Sequence, residues 1–141
     1  MKKILIFAMA LFISACHRLP VTCRSEYLYP DYLASQQINT PDPARDCFLG
    51  QKIVVSWNIP KRWLQKPVTL LLHVRYGTRE VETFSQILER PSGWWEYTLL
   101  NTEYTNKCGI VSFQAELVQQ GRILSQWNHF LWVDILEITQ T

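Results

Sequence analysis

Reactive side chains are few in this chain of 141 residues, which contains four cysteines and three histidines. A thiol can act as a nucleophile, bind zinc or form a disulfide, so the cysteines are the first candidates for chemistry. The sequence has no CxxC pair, and none of Cys23, Cys47 and Cys108 lies near a histidine at the spacing of a zinc site. We therefore expect no metal site.

Motifs of the common catalytic sites are missing from the sequence, which has no HExxH, GxSxG, GxGxxG or phosphate loop. Glu80 and Glu82 could form a carboxylate pair of the glycosidase type, but such pairs are common on the solvated face of a strand. His73 is expected to be solvated or packed, and His129 to stack on neighbouring aromatic rings. These observations predict a non-catalytic protein without a cofactor.

The first sixteen residues have the pattern of an export signal. A basic start, Met1-Lys2-Lys3, precedes ten apolar residues, 4–13. Ten residues are too few for a permanent membrane span, which needs about 20, and are typical of a signal peptide. The run Ile13-Ser14-Ala15-Cys16 follows directly.

This run is similar to the lipobox of bacterial lipoproteins. The resemblance implies that residues 1–15 are removed and that Cys16 becomes an acylated amino terminus, whose several acyl chains give a firm anchor. Because His17 rather than Asp follows, the resemblance also favours transfer to the outer membrane. The alternative is an ordinary secretory signal with an incidental cysteine.

Residues 16–46 are expected to form a strap between this anchor and a folded domain. They contain four of the seven prolines and no sustained period, which predicts irregular structure. The aromatic cluster at 27–33 either packs on the domain or becomes ordered on a partner.

Composition predicts that the remainder, residues 47–141, is one folded domain. The chain is 48% hydrophobic and 18% charged, which is enough apolar material for a core. It has 14 Lys and Arg against 12 Asp and Glu, and removal of Lys2 and Lys3 leaves 12 of each. A neutral chain without a basic run is not expected to bind nucleic acid.

Apolar residues alternate with polar ones in successive segments, as in half-buried strands. Turn signals recur about every ten residues, and no window has a helical period. The pattern predicts an all-β protein, an antiparallel immunoglobulin-like β-sandwich or small barrel of six or seven strands. The predicted strands cover residues 51–59, 68–76, 79–88, 94–100, 109–118 and 123–138.

Two resemblances accompany this pattern. Residues 53–60, IVVSWNIP, are similar to the second strand of fibronectin type III and other immunoglobulin-like domains, where a buried Trp precedes a Pro. More broadly, the chain resembles small outer-membrane lipoproteins of the type III secretion pilotin kind in the order of an Ile-Pro pair, a Val-rich strand, a Tyr-Leu strand and a strand that turns at Gly. That resemblance implies a protein that grips a segment of a secretion-system or other envelope protein.

The predicted strand order has a consequence for the thiols. With Cys16 acylated, three cysteines remain, and an oxidising compartment favours one bridge. The first and fifth predicted strands run in the same direction, so their starts lie at one end of the sandwich. Cys47 and Cys108 precede these starts, which favours a bridge between them and leaves Cys23 as a free thiol. A Cys23 to Cys47 bridge, or no bridge, are the alternatives.

Trp94 and Trp95 are neighbours, so on a strand their side chains must point to opposite faces. One hypothesis is a strand buried on both faces. The other is an exposed apolar patch for a partner, formed by one of the pair, Trp94 in particular, together with Tyr104.

Together these patterns predict a lipid-anchored protein of the bacterial outer membrane that faces the periplasm and binds another envelope or secretion protein. Two alternatives stay open at this point. One is a structural envelope lipoprotein cross-linked by disulfides, and the other is a small module that binds lipid or glycan.

Overall fold

The computed structural model describes residues 19–29 and 49–132. Within these ranges lie seven strands, a short 3-10 helix and one short α-helix. The elements in chain order are β1 (Val21–Leu28), β2 (Gly50–Asn58), the 3-10 helix (Lys61–Gln65), β3 (Val68–Tyr76), β4 (Val81–Leu88), β5 (Ser92–Leu100), α1 (Asn101–Asn106), β6 (Ile110–Gln119) and β7 (Arg122–Asn128).

The strands form two antiparallel sheets. The three-stranded sheet has the order β1-β2-β5, and the four-stranded sheet has the order β4-β3-β6-β7. This arrangement confirms the prediction of an all-β sandwich, with the seven strands of an immunoglobulin-like domain. Consequently β4 and β5, joined by a short turn, are the edge strands on one side of the sandwich, and β1 and β7 are the edge strands on the other.

The core lies between the two sheets and follows from the alternation of β3. Its residues at every second position are buried, and those between are only partly buried. Each buried aliphatic side chain contributes about 1.5 to 3 kcal/mol relative to an exposed one. From β2 and β6, further apolar side chains close the core opposite and beside β3: Ile53, Val55, Trp57, Phe113, Ala115 and Leu117.

The strand β1 lies inside the segment 16–46, which the sequence predicted to be an irregular strap. It pairs with β2 along its whole length, with Val21 opposite Trp57 and Leu28 opposite Gly50. Val21 is completely buried, while Tyr27, on the same face, is exposed. Because an edge strand needs few apolar anchors when the main chain supplies the pairing, its sequence, VTCRSEYL, has no clear alternation.

The two ends of the sandwich have different residues. At the proximal end, defined by residues 19–21, 58–68, 88–92 and 118–122, β1 begins. At the distal end, defined by residues 28–29, 49–51, 76–81 and 100–110, β2 and β6 begin. There the buried Gln51 side chain donates a hydrogen bond from Nε2 to the Ile110 carbonyl (3.3 Å) and accepts one at Oε1 from the Ile110 N–H (2.5 Å). This contact confirms that the predicted first and fifth strands start at the same end.

Two local predictions were wrong. The polar segment 101–106, which lies between two predicted strands and has no helical period, forms the short helix α1, in which the Thr105 hydroxyl donates to the Asn101 carbonyl (3.1 Å). The last strand ends at Asn128 and does not continue through Trp132, because the Trp132 N–H bonds to the His129 carbonyl (2.8 Å) in a tight turn. Residues 133–138 lie outside the described residues.

Candidate binding surface at the β4–β5 edge

Trp94 and Trp95 point to opposite faces of β5, as their adjacency requires. Trp95 pairs with Val55 and packs against the core, whereas Trp94 lies on the outer face and is 65% exposed. The hypothesis of a strand buried on both faces is therefore wrong. Of the two tryptophans, only Trp94 offers its ring to a partner.

A groove of about 640 Å³ adjoins Trp94 at the proximal end, where β4 turns into β5. Its other prominent apolar side chain is Ile87, which is 62% exposed at the end of β4. The Trp57 ring forms part of the groove wall next to Gly93. A side chain at position 93 would collide with this ring, since a Cβ there would lie only 2.6 Å from Trp57 Cζ2. The Trp57 indole N–H donates to the Arg90 carbonyl (3.1 Å) and so fixes the turn.

The outer edge of β5 has unpaired peptide groups. In an antiparallel pair, residues whose peptide groups face the partner alternate with residues whose peptide groups face away. A hydrogen bond from the Ile59 N–H to the Pro91 carbonyl (2.7 Å) shows which residues these are in β2 and β5: the peptide groups of the odd-numbered residues face the partner strand. It follows that the N–H and C=O groups of Trp94, Glu96 and Thr98 face away from β2. No strand of the described residues covers them.

Charged side chains alternate in sign across the outer face of the same sheet. Glu26 on β1 contacts Arg24 (3.1 Å) and Lys52 of β2 (3.3 Å), and Lys52 contacts Glu96 of β5 (3.5 Å). The hydrogen bond with Glu26 is the main cause that raises the pKa of Lys52. Val54, enclosed by this array, is buried although it faces outward. The array ends with a negative charge, Glu96, at the free edge.

Tyr104 does not belong to this surface. It lies on α1 at the distal end, where it is partly buried against the core. Six residue steps separate Trp94 from Leu100, the last residue of β5, which corresponds to about 20 Å of strand. Thus the structure does not bring Trp94 and Tyr104 together into one patch.

The described thiols differ in accessibility. Cys23 points into the sandwich, and desolvation by burial raises its pKa to about 12, so it stays protonated and unreactive at neutral pH. Cys108 is exposed at the distal end, and within the described residues neither thiol forms a disulfide. Cys16 and Cys47 lie outside the described residues, so the acylation of Cys16 and the bridge from Cys47 to Cys108 stay predictions.

A polar cluster near the distal end was not foreseen from the sequence. The Tyr76 hydroxyl donates to Glu82 (2.7 Å) and contacts the Tyr97 hydroxyl (2.5 Å), while Lys107 donates to Glu82 (2.6 Å) and lies over the Tyr76 ring (4.2 Å). The hydrogen bonds from Lys107 and then Tyr76 lower the pKa of Glu82. Glu80 precedes β4, so it does not pair with Glu82. The cluster ties β3, β4 and β5 to the segment after α1.

The histidines occupy ordinary packing positions. His73, on the outer face of the central strand β3, contacts the Thr83 hydroxyl (2.8 Å). His129 packs against aromatic rings, those of Phe113 (4.9 Å between centroids) and Phe130 (4.2 Å), but in a tilted rather than a stacked arrangement. Within residues 19–29 and 49–132, no three His, Cys, Asp or Glu side chains gather in a way that could hold a metal ion.

The described ranges contain no helix with the length and apolar character of a membrane span. No protein-family model, curated protein or solved structure matches the chain significantly.

Proposed function

We propose that this protein is a lipid-anchored component of the bacterial outer membrane that faces the periplasm and binds an extended segment of another envelope or secretion protein, without catalysis. The segment adds to the free edge of β5 as an eighth strand. The anchor is the acylated Cys16, as the lipobox resemblance implies.

The observation that carries this proposal is the free edge of β5 beside an exposed tryptophan. Trp94, Glu96 and Thr98 direct their peptide groups outward, and main-chain hydrogen bonds to such an edge supply affinity for extended peptides. The edge has no proline, lysine or bulge, three of the features with which proteins block unwanted strand pairing, and Glu96 is its one charged residue.

The side chains of the edge indicate the chemistry of the segment. A residue directly opposite Trp94 would share its exposed face, which favours an apolar or aromatic side chain. A residue opposite Glu96 would continue the alternation of charges across the sheet, which favours Lys or Arg. Alternate residues of the segment would cover Tyr97 and Phe84, whose rings pack 4.5 Å apart and are only partly buried.

The disulfide-linked structural role has one observation in its favour, the exposed thiol of Cys108. The buried thiol of Cys23 is unsuited to that role because its raised pKa suppresses the thiolate that attacks a partner disulfide.

The test removes one main-chain donor from the free edge. In Thr98→Pro the missing N–H faces away from β2, so the β2–β5 ladder stays intact, and prolines are tolerated in this position of edge strands. A photoreactive aromatic residue replacing Trp94, so that an aromatic ring stays at this position, should cross-link one partner at a fixed segment in the lipidated protein in its native envelope. Thr98→Pro should abolish this cross-link, and the matched Thr98→Val should retain it.

Cross-linking of Thr98→Pro at the unaltered level would contradict strand addition. If a photoreactive residue at Thr22, on the outer face of the edge strand β1, cross-links the partner and the one at Trp94 does not, partner binding belongs to the opposite side of the sandwich.

A further inference from the structure

Positive charge is concentrated at the proximal end of the sandwich. The described ranges contain ten Lys and Arg residues and seven acidic residues. Five of the basic residues lie at the proximal end, but only one of the acidic residues, Glu89, does. All five basic side chains are exposed. They are Lys61, Arg62, Lys66, Arg90 and Arg122, and we refer to them as the basic cluster.

Three connections of the fold bring the basic cluster together. The 3-10 helix after β2 carries two of its residues, the β4–β5 turn carries Arg90, and the β6–β7 turn leads into Arg122. The side chain of Gln119 holds the helix against the β6–β7 turn by donating to the carbonyls of Trp63 (2.7 Å) and Lys66 (3.0 Å). These residues are distant in sequence, which is why the chain has no basic run.

The positive charges of the basic cluster are not neutralised within the described ranges. The ion pairs found there involve Arg24, Lys52 and Lys107 instead. At the distal end, by contrast, acidic and basic residues balance, with Glu80 and Glu103 against Arg79 and Lys107. The sandwich is therefore polarised along its long axis.

Apolar side chains accompany the basic cluster. Leu19, just before β1, and Ile123, beside Arg122, are each more than half exposed. A surface that combines Lys and Arg with exposed Leu and Ile suits the interface of a bilayer with anionic headgroups.

The length of the chain before β1 points to the same surface. Leu19 lies three residues after Cys16, and three extended residues span at most about 11 Å. If Cys16 is acylated, the proximal end cannot move farther than this from the anchor. A long flexible strap would have left the orientation of the domain open, but β1 begins too early for that.

We infer that the proximal end of the sandwich lies flat on the bilayer, with the basic cluster bound to anionic lipid headgroups and the distal end directed away from the membrane. The argument from tether length rests on the proposed acylation of Cys16, whereas the polarity of the sandwich does not. This orientation places the free edge of β5 upright on the membrane, open to a partner from the side.

Hydrogen exchange of the lipidated protein tests the orientation. The protein is reconstituted in vesicles of phosphatidylcholine alone or with phosphatidylglycerol, and exchange is measured by mass spectrometry. In anionic vesicles, amides of residues 60–66 and 119–123 should exchange at least fivefold more slowly than in neutral ones. Amides of residues 77–80 and 101–108 should be unchanged.

Charge reversal supplies the matched control. Each basic residue near an anionic surface is worth about a fivefold change in affinity. Arg122→Glu should therefore weaken the protection by about fivefold or more, and Arg79→Glu, an exposed arginine in the distal β3–β4 turn, should leave it unchanged. High salt should remove the protection.

Three outcomes would overturn the inference. The first is equal exchange at the two ends in anionic vesicles, and the second is protection of the distal end. The third concerns a further sample, in which poly(U) RNA is added to the protein in neutral vesicles: protection of the proximal end by the RNA, without such protection by anionic vesicles, would assign the basic cluster to nucleic acid. The mass of the amino-terminal peptide in the same samples separates the two proposals. If the protein is acylated but residues 60–66 and 119–123 are not protected in anionic vesicles, only the inferred orientation is contradicted. If Cys16 is unmodified, the proposed function is contradicted.

Discussion

Replacement of Gln51 by Leu tests how the two sheets are joined. The Gln51 side chain is buried and satisfies both the N–H and the carbonyl of Ile110 across the sandwich. Leu has a similar volume but no polar atoms, so Gln51→Leu leaves two backbone groups without partners. Each buried unsatisfied group costs about 1 to 3 kcal/mol. Because one of the two hydrogen bonds is long, we expect a loss of about 2 to 4 kcal/mol.

Such a loss is a large part of the 5 to 15 kcal/mol that typically stabilises a domain, and it corresponds to a melting temperature lower by about 10 to 25 °C. Urea unfolding followed by tryptophan fluorescence measures it. Gln126→Leu, at an exposed position of β7, is the control and should change the stability by less than about 0.5 kcal/mol. If Gln51→Leu also stays within that limit, the contact between the starts of β2 and β6 does not hold the sheets together.

Three further results are expected. Trp94→Ala should weaken partner cross-linking from Thr98 while it changes the stability by less than about 0.5 kcal/mol, since the ring is exposed; a large drop in melting temperature would show that Trp94 is structural. After reduction, a maleimide at pH 8 should label Cys108 in the native protein but Cys23 only after unfolding, and rapid native labelling of Cys23 would contradict its burial. Since folding lowers the pKa of Glu82, the resulting stability is complete above the unfolded pKa of about 4.3 and is lost as the pH falls through the folded value. Lys107→Met should flatten this acid dependence in unfolding titrations, and an unchanged slope would refute the pairing.

The strands of the core could be predicted because burial imposes a period of two on the sequence. In β3, the segment VTLLLHVRY, every second residue enters the core, and its predicted and observed bounds coincide. The strand β1 was not predicted because its inner face is buried only at its beginning, near Val21. Its position in the sheet depends on backbone pairing with β2, which leaves little trace in side-chain type.

The binding surface was only partly predictable. Adjacency alone placed Trp94 and Trp95 on opposite faces, but which of them enters the core depends on the register with β2. The pairing of Trp94 with Tyr104 in one patch was wrong because β5 separates them along its length. The free edge of β5 depends on strand order, which no local pattern encodes.

The charge distribution was also hidden from the sequence. A neutral chain without a basic run gave no reason to expect a polarised sandwich. The basic cluster arises only when the turns around Arg90 and Arg122 meet the 3-10 helix. The early start of β1, which the sequence did not predict, keeps this cluster within a few residues of the proposed anchor.

The intact mass of the mature protein, isolated from its own envelope, tests the central claim most directly. We predict a chain that begins at Cys16 and carries the added mass of its acyl chains, recovered in the outer-membrane fraction. A soluble chain with an unmodified Cys16, or one cleaved at another residue, would contradict the lipid anchor and with it the proposed function.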